Sequence, residues 1–261
     1  MKKIIAVLLT LTLVFALAAC GGKAGNGEES YQLVSEGKLT MATNAAFSPY
    51  EYKEGGEVVG IDADIAKAIA DKLGLELVIE DMEFESVVPS VQSGKADMAM
   101  AALTILEERL LVVDMTTSYC TGVQVIIVPE NSPITCNDDL FGDGNYKIGA
   151  QLATTGDLYC TWDIEDEGLG TVERYATGAD AVMALTTGKV DCVVIDNEPA
   201  KVFVKQNEGL KILDTAYAEE DYSIAVGKNN TKLCNDIDTA IKELIADGTV
   251  KTILSKYIAA E

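Results

Sequence analysis

Apolar positions in this chain recur at two different steps, and the steps alternate. Lys38 to Thr43 and Leu75 to Ile79 read as short strands. Between them Ile65, Ile69 and Leu73 recur every four residues. Residues four apart share one helix face, so a helix opened by Gly60-Ile61-Asp62 is expected to run to about Leu73. Gly74 suits its end, where the backbone turns left-handed. A helix near Ser86 to Gln92 and a strand from Met98 to Ala101 come next. Further on, a strand at Lys147 to Ala150, a helix around Ala179 to Leu185 and a strand from Cys192 to Ile195 are predicted. Helices at about Leu233–Ile245 and Val250–Tyr257 close the chain. Strands alternating with helices predict parallel sheets covered by helices.

One phrase occurs twice. Ser93-Gly94-Lys95-Ala96-Asp97 joins a helix to a strand, and Thr187-Gly188-Lys189-Val190-Asp191 does the same about 94 residues later. Two lobes of related architecture explain the repeat; chance similarity of two helix-to-strand turns is the alternative. In open α/β sheets ligands bind beyond the carboxyl ends of strands, which puts candidate half-sites after Ala101 and after Ile195. The apolar strands Gly122 to Val128 and Tyr222 to Val226 are placed to cross between the lobes. The expected organisation is then lobe 1 at 38–122 plus 224–261 and an inserted lobe 2 at 123–223. A two-strand hinge of this kind closes by bending a few dihedrals.

The start of the chain has a different character. Lys2 and Lys3 precede a run from Ile4 to Ala19 broken only by Thr10 and Thr12. That run is short of the roughly 20 residues that span a bilayer. A charged start, a short apolar middle and small residues at the end describe an export signal over 1–19. Leu17-Ala18-Ala19-Cys20 resembles the lipobox of bacterial lipoproteins, which implies acylation of Cys20; an ordinary signal with an incidental Cys is the plainer reading. Residues 20–37 are expected to form a tether, flexible at its glycine-rich start from Gly21 to about Ser30. Two acyl chains hold a protein at a membrane where one holds it marginally. The expected location is outside the cytoplasm, on the cell membrane.

Composition then removes several functions. The 261 residues carry 20 basic and 42 acidic side chains, a net charge of −22. That disfavours nucleic acid and anionic lipid surfaces as partners. His is absent, which removes the commonest general base and metal ligand. Besides Cys20 there are Cys120, Cys136, Cys160, Cys192 and Cys234, with no C-x-x-C pair, so zinc and redox motifs are unsupported. Buried free thiols are expected, with a Cys136–Cys160 disulfide as the alternative. No metal, no cofactor and no catalysis are expected, and a monomer is.

Candidate chemistry sits at the two half-sites. Thr104 and Glu107 match the S/T-x-x-E capping box, so a helix is expected to start at Thr104. Arg109 falls near the positive end of that helix, where a cation is disfavoured. Either Glu107 and Glu108 neutralise it on the surface, or it awaits an anion such as a carboxylate, which a guanidinium holds through two parallel bonds. Asp196 follows the strand ending at Ile195 and carries the opposite charge. It is either a partner for an ammonium or a turn or cap residue. Thr155, in Gln151-Leu152-Ala153-Thr154-Thr155-Gly156, is a candidate helix cap facing the cleft.

With these residues in place, the chain resembles the bacterial extracellular solute-binding proteins of family three. The likeness runs through Phe47-Ser48-Pro49-Tyr50-Glu51-Tyr52, Gly60 to Ala66, Ser93 to Asp97, Thr104 to Arg109, Val113-Asp114, Gln151 to Gly156 and Ile195-Asp196. It implies an α/β, two-lobed periplasmic-binding-protein-like (type II) fold that captures a free amino acid and passes it to ABC permease subunits. By position it implies that Arg109 clamps the α-carboxylate with Thr104, the Ala102 backbone and Thr155. Asp196 takes the α-ammonium, and Phe47 and Phe84 flank the side chain. Asn44, Gln151 and Ile195 tune specificity. Asp62 and Asp64 are expected to shape the first helix. The segment Asp114 to Cys120 departs from the family pattern, which touches the hinge approach. No matched pocket position is acidic, so a neutral polar ligand such as glutamine is favoured over Lys or Arg, unless neighbours such as Glu83 or Glu85 intrude. A sensor feeding a membrane receptor, and an extracytoplasmic dehydratase on the same fold, are the other readings.

Overall fold

The computed structural model describes residues 31–258. The export-signal run, Cys20 and the start of the tether lie outside the described residues. The chain opens with β1 (Lys38–Thr43) and a small antiparallel meander of β2 (Ala46–Phe47), β3 (Glu51–Glu54) and β4 (Glu57–Val59). Then come α1 (Ile61–Leu73), β5 (Glu76–Asp81), α2 (Phe84–Gln92), β6 (Met98–Ala99), α3 (Glu107–Val112) and β7 (Val113–Met115). The next stretch runs β8 (Cys120–Pro129), β9 (Lys147–Gln151), α4 (Thr155–Cys160), β10 (Thr171–Tyr175), α5 (Gly178–Thr186), β11 (Cys192–Asp196), α6 (Asn197–Gln206), β12 (Leu210–Ile212) and β13 (Ala218–Tyr222). Finally β14 (Ala225–Gly227), α7 (Thr231–Ala246) and α8 (Thr249–Tyr257) return to the first group.

Two sheets result, and both are mixed rather than parallel throughout. In the first, β5, β1 and β6 run parallel, and β14 then lies antiparallel between β6 and β7. In the second, β10, β9 and β11 run parallel, and β8 lies antiparallel to β11, β12 and β13. The odd strand in each sheet is the one that carries the chain in from the other sheet, so it arrives from the opposite end. Residues between β7 and β8, and Ser223-Ile224 between β13 and β14, make the two crossings. They are hydrogen-bonded side by side, through Thr116 N to Ile224 O at 3.0 Å and Tyr119 N to Tyr222 O at 2.9 Å. The strand expected over Tyr222 to Val226 is thus interrupted by the crossing itself.

The repeated phrase has one structural meaning in both lobes. Gly94 and Gly188 end their helices at φ 71° and 69°. The Asp that follows grips the first parallel strand twice. Asp97 N donates to Thr40 O at 2.9 Å, and its Oδ2 accepts from Thr40 N at 2.7 Å. Asp191 N donates to Lys147 O at 2.8 Å, and its Oδ2 accepts from Lys147 N at 2.8 Å. The same four-atom exchange fixes β6 against β1 and β11 against β9. Cores fill on either side: Leu39, Met41, Ile65, Ile69, Ile237 and Ile241 in lobe 1, and Ile126, Val128, Ile148 and Val194 in lobe 2. Cys160 and Cys192 are buried in the second core as small apolar residues. All five described cysteines are free thiols, so the Cys136–Cys160 disulfide is not formed.

The start of α1 depends on one glycine. No side chain caps this helix. Instead Ile61 N donates to Pro49 O at 3.1 Å and Asp62 N to Tyr50 O at 2.9 Å, which satisfies two of the helix's free N–H groups. That brings the backbone so close that a Cβ on Gly60 would lie 2.2 Å from Tyr50 O, and Gly60 sits at φ 129°. Gly60→Ala is expected to cost about 3 kcal/mol or more. Gly56→Ala, at φ 92° with open space around it, should cost roughly 1–2 kcal/mol. Urea denaturation of the two variants checks the difference; equal losses would contradict it.

Candidate functional site

The carboxyl ends of the parallel strands in both sheets face one shared cavity. Lobe 1 contributes Asn44 after β1, Phe47 on β2, Glu51 on β3, Phe84 on α2, Ala101, Ala102 and Thr104 beyond β6, and Arg109 on α3. Lobe 2 contributes Gln151 at the end of β9, Thr154, Thr155 on α4, and Asp196 at the end of β11. Gln151 Nε2 donates to Asn44 Oδ1 at 3.0 Å and so ties the lobes directly across the cleft.

Arg109 is the centre of the lobe 1 wall. It is 9% exposed. Its Nη1 donates to Thr104 O at 2.9 Å, and its guanidinium carbon lies 5.9 Å from the centroid of the Phe84 ring, within range of a cation–π contact. Among the described residues it forms no ion pair, so the surface pairing with Glu107 and Glu108 does not occur. Burial pulls its pKa down, while the Glu220 charge opposes that shift. The capping box is not formed either. Thr104 bridges to Tyr222 as extended backbone, and the helix starts at Glu107 with Leu106 as an uncapped N-cap.

Asp196 holds the corresponding place in lobe 2. It is 8% exposed. Its Oδ2 accepts from Gln124 Nε2 at 2.8 Å, while Oδ1 is buried without a partner. It occupies the N-cap position of α6, but its side chain makes no capping hydrogen bond. Burial, then the neighbouring Glu220 carboxylate, hold its pKa well above the usual carboxylate range. Thr155 lines the cavity, but the cap of α4 is Thr154, whose hydroxyl accepts from Asp157 N at 3.4 Å. Ala102 lines it too, at the strained φ of 46°, but its N–H already donates to Asp62 Oδ2 at 2.9 Å. Ile195 is the one expected residue that does not line the cavity. Strand alternation sends its side chain to the opposite face from Asp196, where it packs into the core beside Gly178.

Several residues of the site escaped the sequence reading. Gln124 is the lone polar residue in the apolar run from Gly122 to Val128, a signal in plain view. Glu220 sits in the run Ala218-Glu219-Glu220-Asp221, which looks like a solvated edge, yet it is 4% exposed. Glu51 lies within a stretch used for the family likeness, and its Oε2 is buried and unpartnered beside the cavity. Glu51 hydrogen-bonds Asp62, and burial, then the Asp62 charge, push its pKa well up. Asp62 accepts from Ala102 N and, at 2.8 Å, from Tyr119 Oη, so it links α1, the cavity wall and the first crossing.

Comparison with known proteins places this geometry. Residues 39–260 match the bacterial extracellular solute-binding proteins, family 3, and the chain belongs to that family. Its fold is the two-lobed periplasmic-binding-protein type II fold with two mixed sheets. It is 30% identical over 263 residues to the arginine-binding extracellular protein ArtP of Bacillus subtilis (strain 168), covering 100% of both chains. It is 30% identical over 272 residues to the ABC transporter glutamine-binding protein GlnH of the same strain, covering 99% of this chain and 98% of that one. Among solved structures, an ancestral arginine-binding protein bound to glutamine is 36% identical with a TM-score of 0.79, covering 87% of this chain and 100% of that one.

Asp62 gives a pH-dependent test of the link to the crossing. Burial raises its pKa to about 6, and the Tyr119 hydrogen bond lowers it, so that bond favours the ionised form. Tyr119→Phe should therefore cost about 1–3 kcal/mol at pH 8, where the carboxylate is charged, and clearly less at pH 5, where it is protonated. Thermal melts at the two pH values measure it; a pH-independent loss would contradict the assignment.

Proposed function

We propose that this chain is the extracytoplasmic solute receptor of an amino-acid ABC importer, and that it binds one polar L-amino acid between its lobes. The reading rests on one observation above the rest: a buried guanidinium that pairs with no carboxylate among the described residues shares a cavity with a buried carboxylate from the other lobe. The ligand's α-carboxylate fits Arg109 through two parallel bonds, with Thr104 and Thr155 as further donors. Its ammonium fits Asp196. Both charges are then paired, which is what buried charges require. Because Arg109 and Asp196 belong to different lobes, a zwitterion favours the closed arrangement over any open one. As a transport component the chain performs no chemistry on its ligand.

Along the side chain of the ligand, Phe47 offers an aromatic wall, while Asn44 and Gln151 offer amides. Phe84 is committed to Arg109 as well. The expectation of a neutral ligand assumed no acid in the pocket. Glu51 lines the cavity, so a cationic side chain is no longer disfavoured, and arginine joins glutamine as a candidate. The names of the relatives span the same two ligands. The partner is a pair of permease subunits in the membrane. Cys20, acylated, holds the receptor beside them.

Calorimetry against the twenty common amino acids should give tight binding at one site. Arg109→Ala should weaken it by at least about 30-fold, the equivalent of the 2 kcal/mol lower bound for truncating one partner of a buried charge pair. Binding of the wild-type strength by that variant would remove Arg109 from the site. The anchor has its own test. Cys20→Ser should abolish incorporation of labelled fatty acid and release the protein from membranes. Label retained in the variant would contradict acylation at Cys20.

A further inference from the structure

The ammonium end of the cavity holds more acid than one ammonium needs. β8 runs between β11 and β13, with Gln124 opposite Asp196 on one side and opposite Ala218 on the other. Glu220 lies two residues beyond Ala218 and therefore on the same face. Direct and diagonal cross-strand neighbours reach each other. Here Gln124 Nε2 lies 2.8 Å from Asp196 Oδ2, 2.9 Å from Glu220 Oε2 and 3.3 Å from Thr155 Oγ1. One amide nitrogen carries two protons, and those two protons are all that the strand offers to both acids. Asp196 Oδ1 and Glu220 Oε1 are each buried with no hydrogen-bond partner.

The surroundings do not neutralise the pair. Arg109 from α3 acts on both acids, but forms an ion pair with neither. Tyr159 from α4 faces Glu220, and burial holds its pKa up at about 12. Glu51 on β3 adds a further buried carboxyl, and Tyr50 and Glu198 face the same region. Burial and the neighbouring Glu220 charge both disfavour ionisation of Asp196, so that carboxyl holds its proton well above the usual carboxylate range.

We propose that Glu220 is a positioning residue of the ammonium site: packed against the same Gln124 amide as Asp196, it keeps a proton on the Asp196 carboxyl, and the ligand's ammonium displaces that proton into solvent. The inference rests on the reading that Asp196 receives the ammonium. On binding, one carboxyl O–H bond breaks and its proton passes to buffer. The ammonium N–H groups then donate to the freed oxygens. The exchange leaves the local charge of the pair and ligand balanced, and it links affinity to pH. Gripping an ammonium with two acids and one amide also explains a polar Gln in the middle of an otherwise apolar strand.

The test is calorimetry of the purified protein at pH 7 with L-arginine and L-glutamine as probes, each in phosphate and in Tris. The two buffers differ in ionisation heat, so the difference counts protons. Close to one proton is expected to leave per ligand bound, and Kd should weaken by up to about tenfold per unit as pH falls. Glu220→Gln should bind while releasing less than half a proton and losing most of the pH slope. Absence of proton release from the wild-type protein overturns the proposal whether or not the variant folds, and so does a variant that releases as much as wild type. Asp196→Asn separates the two readings. If it binds as wild type does, the ammonium assignment itself fails. If it loses binding while wild type releases no proton, only the proton held on Asp196 fails.

Discussion

Arg109 carries a full positive charge into a buried place where no acidic side chain among the described residues forms an ion pair with it, and the rest of the site follows from that fact. Removing a charged group from water costs several kcal/mol unless something replaces its hydration. The protein supplies a partial replacement only: one carbonyl, from Thr104, and the face of Phe84. Asp196 poses the mirror problem in the other lobe, with one amide for two oxygens. Neither group has the other's solution, since no ion pair joins them. A solute with a carboxylate at one end and an ammonium at the other completes both at once.

The fold makes this arrangement reproducible. Each lobe repeats a helix, a left-handed glycine and an Asp that locks two parallel strands in register. The lock fixes where the strands end, and the strand ends carry the site. Asn44, Ala101 and Ala102 sit just past β1 and β6; Gln151 and Asp196 are the last residues of β9 and β11. The antiparallel strand in each sheet has a second role. It brings in the crossing from the other lobe, and in lobe 2 it also carries the Gln124 amide that donates to Asp196. Asp62 ties this scaffold together, because its two oxygens hold the wall at Ala102 and the crossing at Tyr119.

Much of this was legible in the residues. The periodicity placed the helices and parallel strands, and the repeated phrase placed the two half-sites. Nine of the ten expected ligand residues line the one cavity. What failed did so for local reasons. Thr104 and Glu107 have the spacing of a capping box, but pairing with Tyr222 holds Thr104 extended, so tertiary contact overrode the local signal. Ile195 was placed among the specificity residues by the family resemblance, but strand alternation sends its side chain to the opposite face from Asp196. Glu220 was hidden by an acidic run whose neighbours are exposed, since burial of one residue in such a run is set by strand pairing that the run does not reveal. Ala102 is at the wall, but the use of its N–H by Asp62 is a long-range contact that no spacing announces.

The central claim is that Arg109 and Asp196 grip opposite ends of one zwitterion. The most direct measurement is a titration with matched analogues of the bound amino acid: one lacking only the α-ammonium, one lacking only the α-carboxylate. The account predicts that both bind far more weakly than the parent. It also predicts that Asp196→Asn leaves the affinity of the deaminated analogue nearly unchanged while sharply reducing that of the parent. Parent-like affinity for either analogue, or equal losses for parent and deaminated analogue in the variant, would contradict it.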